Sequence, residues 1–168
     1  MQVVVNDTNI FIDLCTIGLI EQLFELPFSI HTVDFVLNEI VNKQHQQILK
    51  KFVSSGLLKV GKFEPDEIGD IIELQNKAGG NVSFVDCAVW HYAEINKYIL
   101  LTGDRQLRNK AISHNVTVKG VLYIFDEMVR CCIITPNVAA AKLKELLSIN
   151  QRLPKKLINE RIERWSIL

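Results

Sequence analysis

The chain lacks several features, and each absence removes a class of function. No uninterrupted apolar stretch approaches the ~18 residues that a membrane-spanning helix needs. The opening Met1-Gln2-Val3 runs straight into a strand, without the basic segment that begins a secretory leader, so a cytoplasmic location is expected. The four cysteines, Cys15, Cys87, Cys131 and Cys132, show no Cys-x-x-Cys spacing, which argues against zinc. Each lies in apolar helical context, so buried free thiols are expected. His31, His45, His91 and His114 show no metal-ligand spacing, and Gly79-Gly80 lacks the lysine of a phosphate-binding loop. No Ser/His/Asp or Cys/His set, low-complexity segment, linker or repeat stands out. Net charge is zero, with 19 basic and 19 acidic residues, so no overall basicity points to a polyanion.

What is present is a globular composition, 48% hydrophobic over 168 residues, which predicts one domain with a packed core. Short apolar runs alternate with amphipathic stretches, the pattern of an α/β domain with a parallel sheet. Val3–Val5, Phe28–His31, Leu57–Val60, Tyr98–Thr102 and Val116–Val118 read as strands. Helices are predicted over Ile10–Phe24, from a Thr32 cap through Ile40, over Gln44–Ser54, from Pro65 to about Ala78, and over Ser83–Asn96 and Arg105–Ser113. Beyond Gly120 the pattern is helical only: Val121–Cys132, Pro136–Leu147 with Thr135 as cap, and Lys155–Trp165. The expected division is a core over about 1–118 and a helical extension over about 120–168. From Lys142 onward, seven Lys or Arg face three Glu, a basic tail beside an otherwise neutral chain.

Four carboxylates stand out against apolar surroundings. Asp7 closes Val3-Val4-Val5-Asn6, and Asp104 follows Ile99-Leu100-Leu101-Thr102-Gly103. Glu39 and Asp86 sit inside Phe35–Val41 and Phe84–Trp90. A charge in such a place is costly unless compensated, and four acids converging in a fold suggest a divalent cation as the compensation. Ordinary explanations exist for three: Asp104 and Asp7 as cap or turn residues, Asp86 as half of a Ser83-x-x-Asp capping box. Glu39, read as mid-helix, has none. Asp13, Asp34 and Asp126 have helix-surface or helix-start explanations and are set aside. Trp90 and Tyr92, near Asp86, fit core packing better than base stacking.

These residues resemble the motifs of PIN-domain nucleases. Val5-Asn6-Asp7-Thr8-Asn9-Ile10 is similar to the family's opening motif, Val36-Leu37-Asn38-Glu39-Ile40 to its Glu motif, Ser83-Phe84-Val85-Asp86 to its third and Leu101-Thr102-Gly103-Asp104-Arg105 to its fourth. Asn6 departs from the pattern, where the strand usually stays apolar. The tail resembles a subgroup with extra C-terminal helices, often toxins of bacterial toxin–antitoxin pairs.

The resemblance implies a three-layer α/β/α sandwich with a short parallel sheet and extra C-terminal helices. It also implies an endoribonuclease in which Mg²⁺ or Mn²⁺, held by Asp7, Glu39, Asp86 and Asp104, activates water against RNA. Asn9, Thr102 and Ser83 would support that site, and Arg105, Arg108 and Lys110 would contact flanking phosphates. An antitoxin partner and a homodimer are further implications. The competing reading is a non-catalytic PIN-fold interaction module. A phosphatase of the haloacid dehalogenase type fails, because Asn9 and Arg108 occupy positions where it needs acids.

Overall fold

The computed structural model describes residues 2–166. Five strands form one sheet in the order β3-β2-β1-β4-β5, and every neighbouring pair is parallel. They are β1 (Gln2–Asn6), β2 (Phe28–Val33), β3 (Leu58–Gly61), β4 (Ile99–Leu101) and β5 (Val118–Lys119). Between β1 and β3 lie α1 (Thr8–Thr16), α2 (Ile20–Glu25), α3 (Asp34–Glu39) and α4 (Lys43–Ser54). Helices α5 (Pro65–Ala78) and α6 (Phe84–Asn96) lead to β4, and α7 (Arg105–Ser113) to β5. Three further helices follow: α8 (Val121–Arg130), α9 (Pro136–Ile149) and α10 (Lys155–Ser166).

The first strand is central because both its faces are covered. Val4 and Val5 are fully buried, and β-branched residues suit such a strand. Its register, Val5 opposite His31 on one side and Leu100 on the other, brings the carboxyl ends of β1, β2 and β4 to one edge. Successive crossovers run outward from β1 to β3, then back past β1 to β4. Right-handed connections therefore put α1, α2 and α4 on one face and α5, α6 and α7 on the other. Helix α6 packs across β1, β2 and β4, while α8 joins α2 and carries α9 and α10. Phe125, Leu143, Ile158 and Trp165 of the last three helices belong to the same buried cluster as the strands.

Local sequence explains most boundaries. Pro65 opens α5 behind a Glu64/Glu67 capping box, and Thr135 caps α9 with Pro136 in its first turn. The last strand lies at Val118–Lys119 rather than Val116–Val118, and three further differences bear on the site. The run from Ile10 to Phe24 is two helices, because Gly18 takes φ +70° and turns the chain between them. Thr32 is no cap: it lies within β2, fully buried, and its hydroxyl donates to the Asn6 carbonyl at 2.9 Å. That bond explains why Thr32 stays in the sheet and leaves Val33, which caps nothing with its side chain, at the start of α3. Glu39 is the last residue of α3 rather than mid-helix, and it is exposed.

All four thiols are free, yet only Cys87 is buried. Cys15 and Cys131 are half-buried, and Cys132 is exposed in the left-handed turn after α8, which overrides its apolar context. Among the described residues no helix is long and apolar enough to cross a membrane.

Candidate carboxylate site

Strand order reverses between β1 and β4, and in open parallel sheets ligands bind at the carboxyl edge of that switch. Asp7 stands there as the N-cap of α1 and is 1% exposed. Its backbone N–H still follows the sheet, donating to the Leu101 carbonyl at 3.0 Å. Three donors meet its carboxylate: Thr8 N–H at 2.7 Å on Oδ1, Thr102 Oγ1 at 2.8 Å and Asn9 Nδ2 at 3.2 Å on Oδ2. Burial nevertheless dominates and, with the charge of Asp86 adding to it, pushes the pKa from 3.8 up to about 6, against the lowering effect of those hydrogen bonds.

Two threonines tie Asp7 to two other acids. The Thr8 hydroxyl donates to Glu39 Oε2 at 2.7 Å while its own N–H holds Asp7. The Thr102 hydroxyl donates to Asp7 and accepts the Asp104 N–H at 2.9 Å. Asp86, on the first turn of α6, is linked to Asp7 by charge rather than by a hydrogen bond. Thr8 and Thr102 thus link Asp7 to the Glu39 carboxylate and to the Asp104 backbone, and Asp86 acts on it through charge alone.

The ordinary roles are also real. Asp104 caps α7 through the Leu107 N–H at 2.8 Å. Asp86 and Ser83 complete a capping box at 2.9 and 3.0 Å. In both cases one carboxylate oxygen shapes the helix start. Asp86 Oδ1 and Asp104 Oδ2 accept no hydrogen bond among the described residues, so capping and ligation do not compete for the same atom.

The supporting residues divide. Asn9 and Thr102 touch Asp7, whereas Ser83 reaches only Asp86. Thr8 was missed by the sequence reading, although it is the middle residue of Asp7-Thr8-Asn9. Arg105 is exposed at the first position of α7, and Lys110 lies half-buried in its last turn. Arg108 is drawn inward: its Nη2 donates to the Thr102 carbonyl at 2.9 Å, and burial lowers its pKa. Gly120 makes room for that arm, since a Cβ there would lie 2.8 Å from Arg108 Nη2. The acids set aside have structural partners: Asp126 pairs with Arg161 and Arg164, Asp13 accepts from Asn150, and Asp34, the first residue of α3, accepts from the Phe35 N–H.

The donor chemistry is all oxygen, which suits hard cations such as Mg²⁺ or Mn²⁺. Among the described residues no three Asp, Glu, His or Cys side chains close on a common point as a ready-made cage. The fit is therefore to an ion held by one or two carboxylates and otherwise by water, as Mg²⁺ usually is.

The family whose sequence model matches is DUF3368: PIN domain, over residues 3–166, a span that includes all four acids. No curated protein matches the chain. Among solved structures, the chain is similar to PAE2754 from Pyrobaculum aerophilum, at 17% identity and a TM-score of 0.54, over 79% of this chain and 98% of that one. It is also similar to VapBC2 from Rickettsia felis, solved bound to a DNA fragment from their promoter, at 16% identity and a TM-score of 0.50, over 71% of this chain and 98% of that one. Identities this low speak to the fold alone.

Proposed function

Because the chain belongs to the PIN-domain family, we propose that it is a metal-dependent phosphodiesterase, an endoribonuclease that cleaves RNA with Mg²⁺ or Mn²⁺. The observation that carries this reading is Asp7. Its carboxylate is buried at the sheet's switch point beside a second acid, so its ionised form is costly unless a cation neutralises it.

In this reading Asp7 is the central ligand, Asp86 and Asp104 offer their unbonded oxygens, and Glu39 holds a second ion or its water. Bound Mg²⁺ or Mn²⁺ would supply an acidified water and charge neutralisation at the scissile phosphate. Thr8, Asn9 and Thr102 fix the rotamers of the acids they touch, and such outer contacts sustain metal affinity. In the same reading Arg105 and Lys110 contact flanking phosphates. One arm of Arg108 is committed to Thr102, which makes positioning its first task.

A protein partner is the second reading, either an antitoxin or a second copy of the chain. Val41, 88% exposed and two residues past Glu39, is the observation that favours it. Such a partner is compatible with catalysis.

The test is cleavage of mixed single-stranded and structured RNAs with Mn²⁺, Mg²⁺ or chelator, beside Asp7→Asn and Asp86→Asn. Metal-dependent cleavage that both variants lose is expected. Equal cleavage by all three proteins would refute the assignment, and so would the absence of Mn²⁺ binding by calorimetry at millimolar concentrations.

A further inference from the structure

The basic tail is resolved by the structure into committed and uncommitted charges. Arg161 and Arg164 both clamp Asp126, at 2.7 and 3.0 Å, and Lys142 pairs with Glu145 at 2.9 Å. Among the described residues Lys144, Arg152, Lys155 and Lys156 make no ion pair. Two of these four, Lys144 and Lys155, line one cleft of about 420 Å³ between α9 and α10. Ser148, Gln151 and Asn159 line it too. Asn159 makes no hydrogen bond among the described residues, so its amide is free to donate. No carboxylate lines the cleft, although three glutamates lie in this part of the chain.

The location matters as much as the charge. Asn150, the C-cap of α9, donates to both carboxylate oxygens of Asp13 on α1 at 3.2 Å. Asp13 lies six positions after Asp7, about 9 Å of helix axis at ~1.5 Å per residue. The turn between α9 and α10 is thus bolted to the helix that Asp7 caps.

We propose that the α9–α10 cleft is a phosphate-binding subsite that holds single-stranded polynucleotide flanking the carboxylate site. The proposal rests on the nuclease reading for its substrate class. Lys144 and Lys155 supply the charge, and the Asn159 amide donates to a phosphate oxygen. The cleft supplies backbone affinity and no base recognition, because it offers no exposed aromatic platform.

The experiment measures fluorescence anisotropy of a labelled single-stranded RNA of mixed sequence, in chelator, across a salt series. The full chain is compared with Lys144→Glu/Lys155→Glu and with Lys50→Glu/Lys51→Glu, which makes the same charge change on exposed residues of α4. Thermal melts show that all three are folded. The cleft variant should bind about tenfold more weakly at ~0.1 M salt, with a log–log salt slope about 1.4 smaller, from roughly 0.7 per phosphate contact. The α4 variant should retain most of the affinity.

Equal losses in both variants, or none in the cleft variant, would overturn the subsite. Displacement of RNA by polyglutamate as readily as by unlabelled RNA would overturn it in favour of an acidic protein segment. Binding needs no metal, so it is judged separately from cleavage. RNA held in the cleft by a protein whose Asp7→Asn variant cleaves as well as wild type would sink the catalytic reading alone.

Discussion

Thr8 and Glu39 come from helices on either side of β2, 31 positions apart, and their side chains meet at 2.7 Å. Thr8 is buried, while Glu39 is exposed at the end of a six-residue helix. The bond holds a mobile type of side chain over the edge where Asp7 sits. Thr8→Val keeps the shape and deletes the donor. It should cost about 1 kcal/mol of stability and lower Mn²⁺ affinity by roughly tenfold, while Thr8→Ser restores most of both. Calorimetry with Mn²⁺ beside urea unfolding reads the two effects, and unchanged affinity in Thr8→Val would dissociate Glu39 from the site.

Asp7 makes the metal-free protein less stable as pH rises. Its pKa is raised from 3.8 to about 6 in the fold, so between those values the folded chain holds the proton more tightly than the unfolded one. Its contribution is complete below pH 3.8, shrinks as pH passes about 6 and is gone above it. A shift of that size corresponds to about 3 kcal/mol. In chelator, Asp7→Asn should therefore be more stable than wild type at pH 7.5, and the advantage should vanish at pH 4. Urea titrations at both values check this; a destabilised Asp7→Asn at pH 7.5 contradicts it.

Arg108 and Gly120 act as a pair. Gly120→Ala places a methyl 2.8 Å from Arg108 Nη2 and 3.5 Å from the Thr102 carbonyl. Its φ of −129° suits any residue, so the clash is with the arginine arm and not with the backbone. We expect a loss of about 1–2 kcal/mol together with weaker Mn²⁺ binding, because Thr102 also holds Asp7. In an Arg108→Ala background the same change should cost less than half as much. A double-mutant cycle measures the coupling, and full additivity would show that the two residues act independently.

Asn6 is fully buried, and among the described residues its amide oxygen and nitrogen have no hydrogen-bond partner. An unpaired buried amide costs about 1–3 kcal/mol, whereas an apolar residue of the same shape costs none of that. Asn6→Leu should hold or raise the melting temperature and leave Mn²⁺ binding intact. A loss of metal affinity in that variant would instead give Asn6 a part in the site.

The fold was legible because its signals are local. Short β-branched runs closed by Asp7 and Gly103, together with Ser83, Pro65 and Thr135 at helix starts, each state a boundary within a few residues. Gly18 was such a signal and was passed over inside an apolar run. The acids were legible for the same reason, each beside an apolar stretch. What sequence could not give was the identity of their partners. Thr102 meets Asp7 across 95 positions, and Arg108 turns from phosphate contact to the Thr102 carbonyl only because Gly120 leaves space for it. Thr32 illustrates the opposite error: a residue with cap chemistry was claimed by a bond to Asn6, 26 positions away.

The place of β1 in the sheet bears on how the protein is born. Of the five strands it is made first, yet it lies between β2 and β4, and its second neighbour is encoded only at Ile99–Leu101. Thr102, the donor that holds Asp7 Oδ2, comes one residue later. A nascent chain stopped before that point has an unpaired central strand and an unclamped aspartate. A chain whose translation has not passed residue 102 therefore carries the Asp7 motif without the hydroxyl that clamps it.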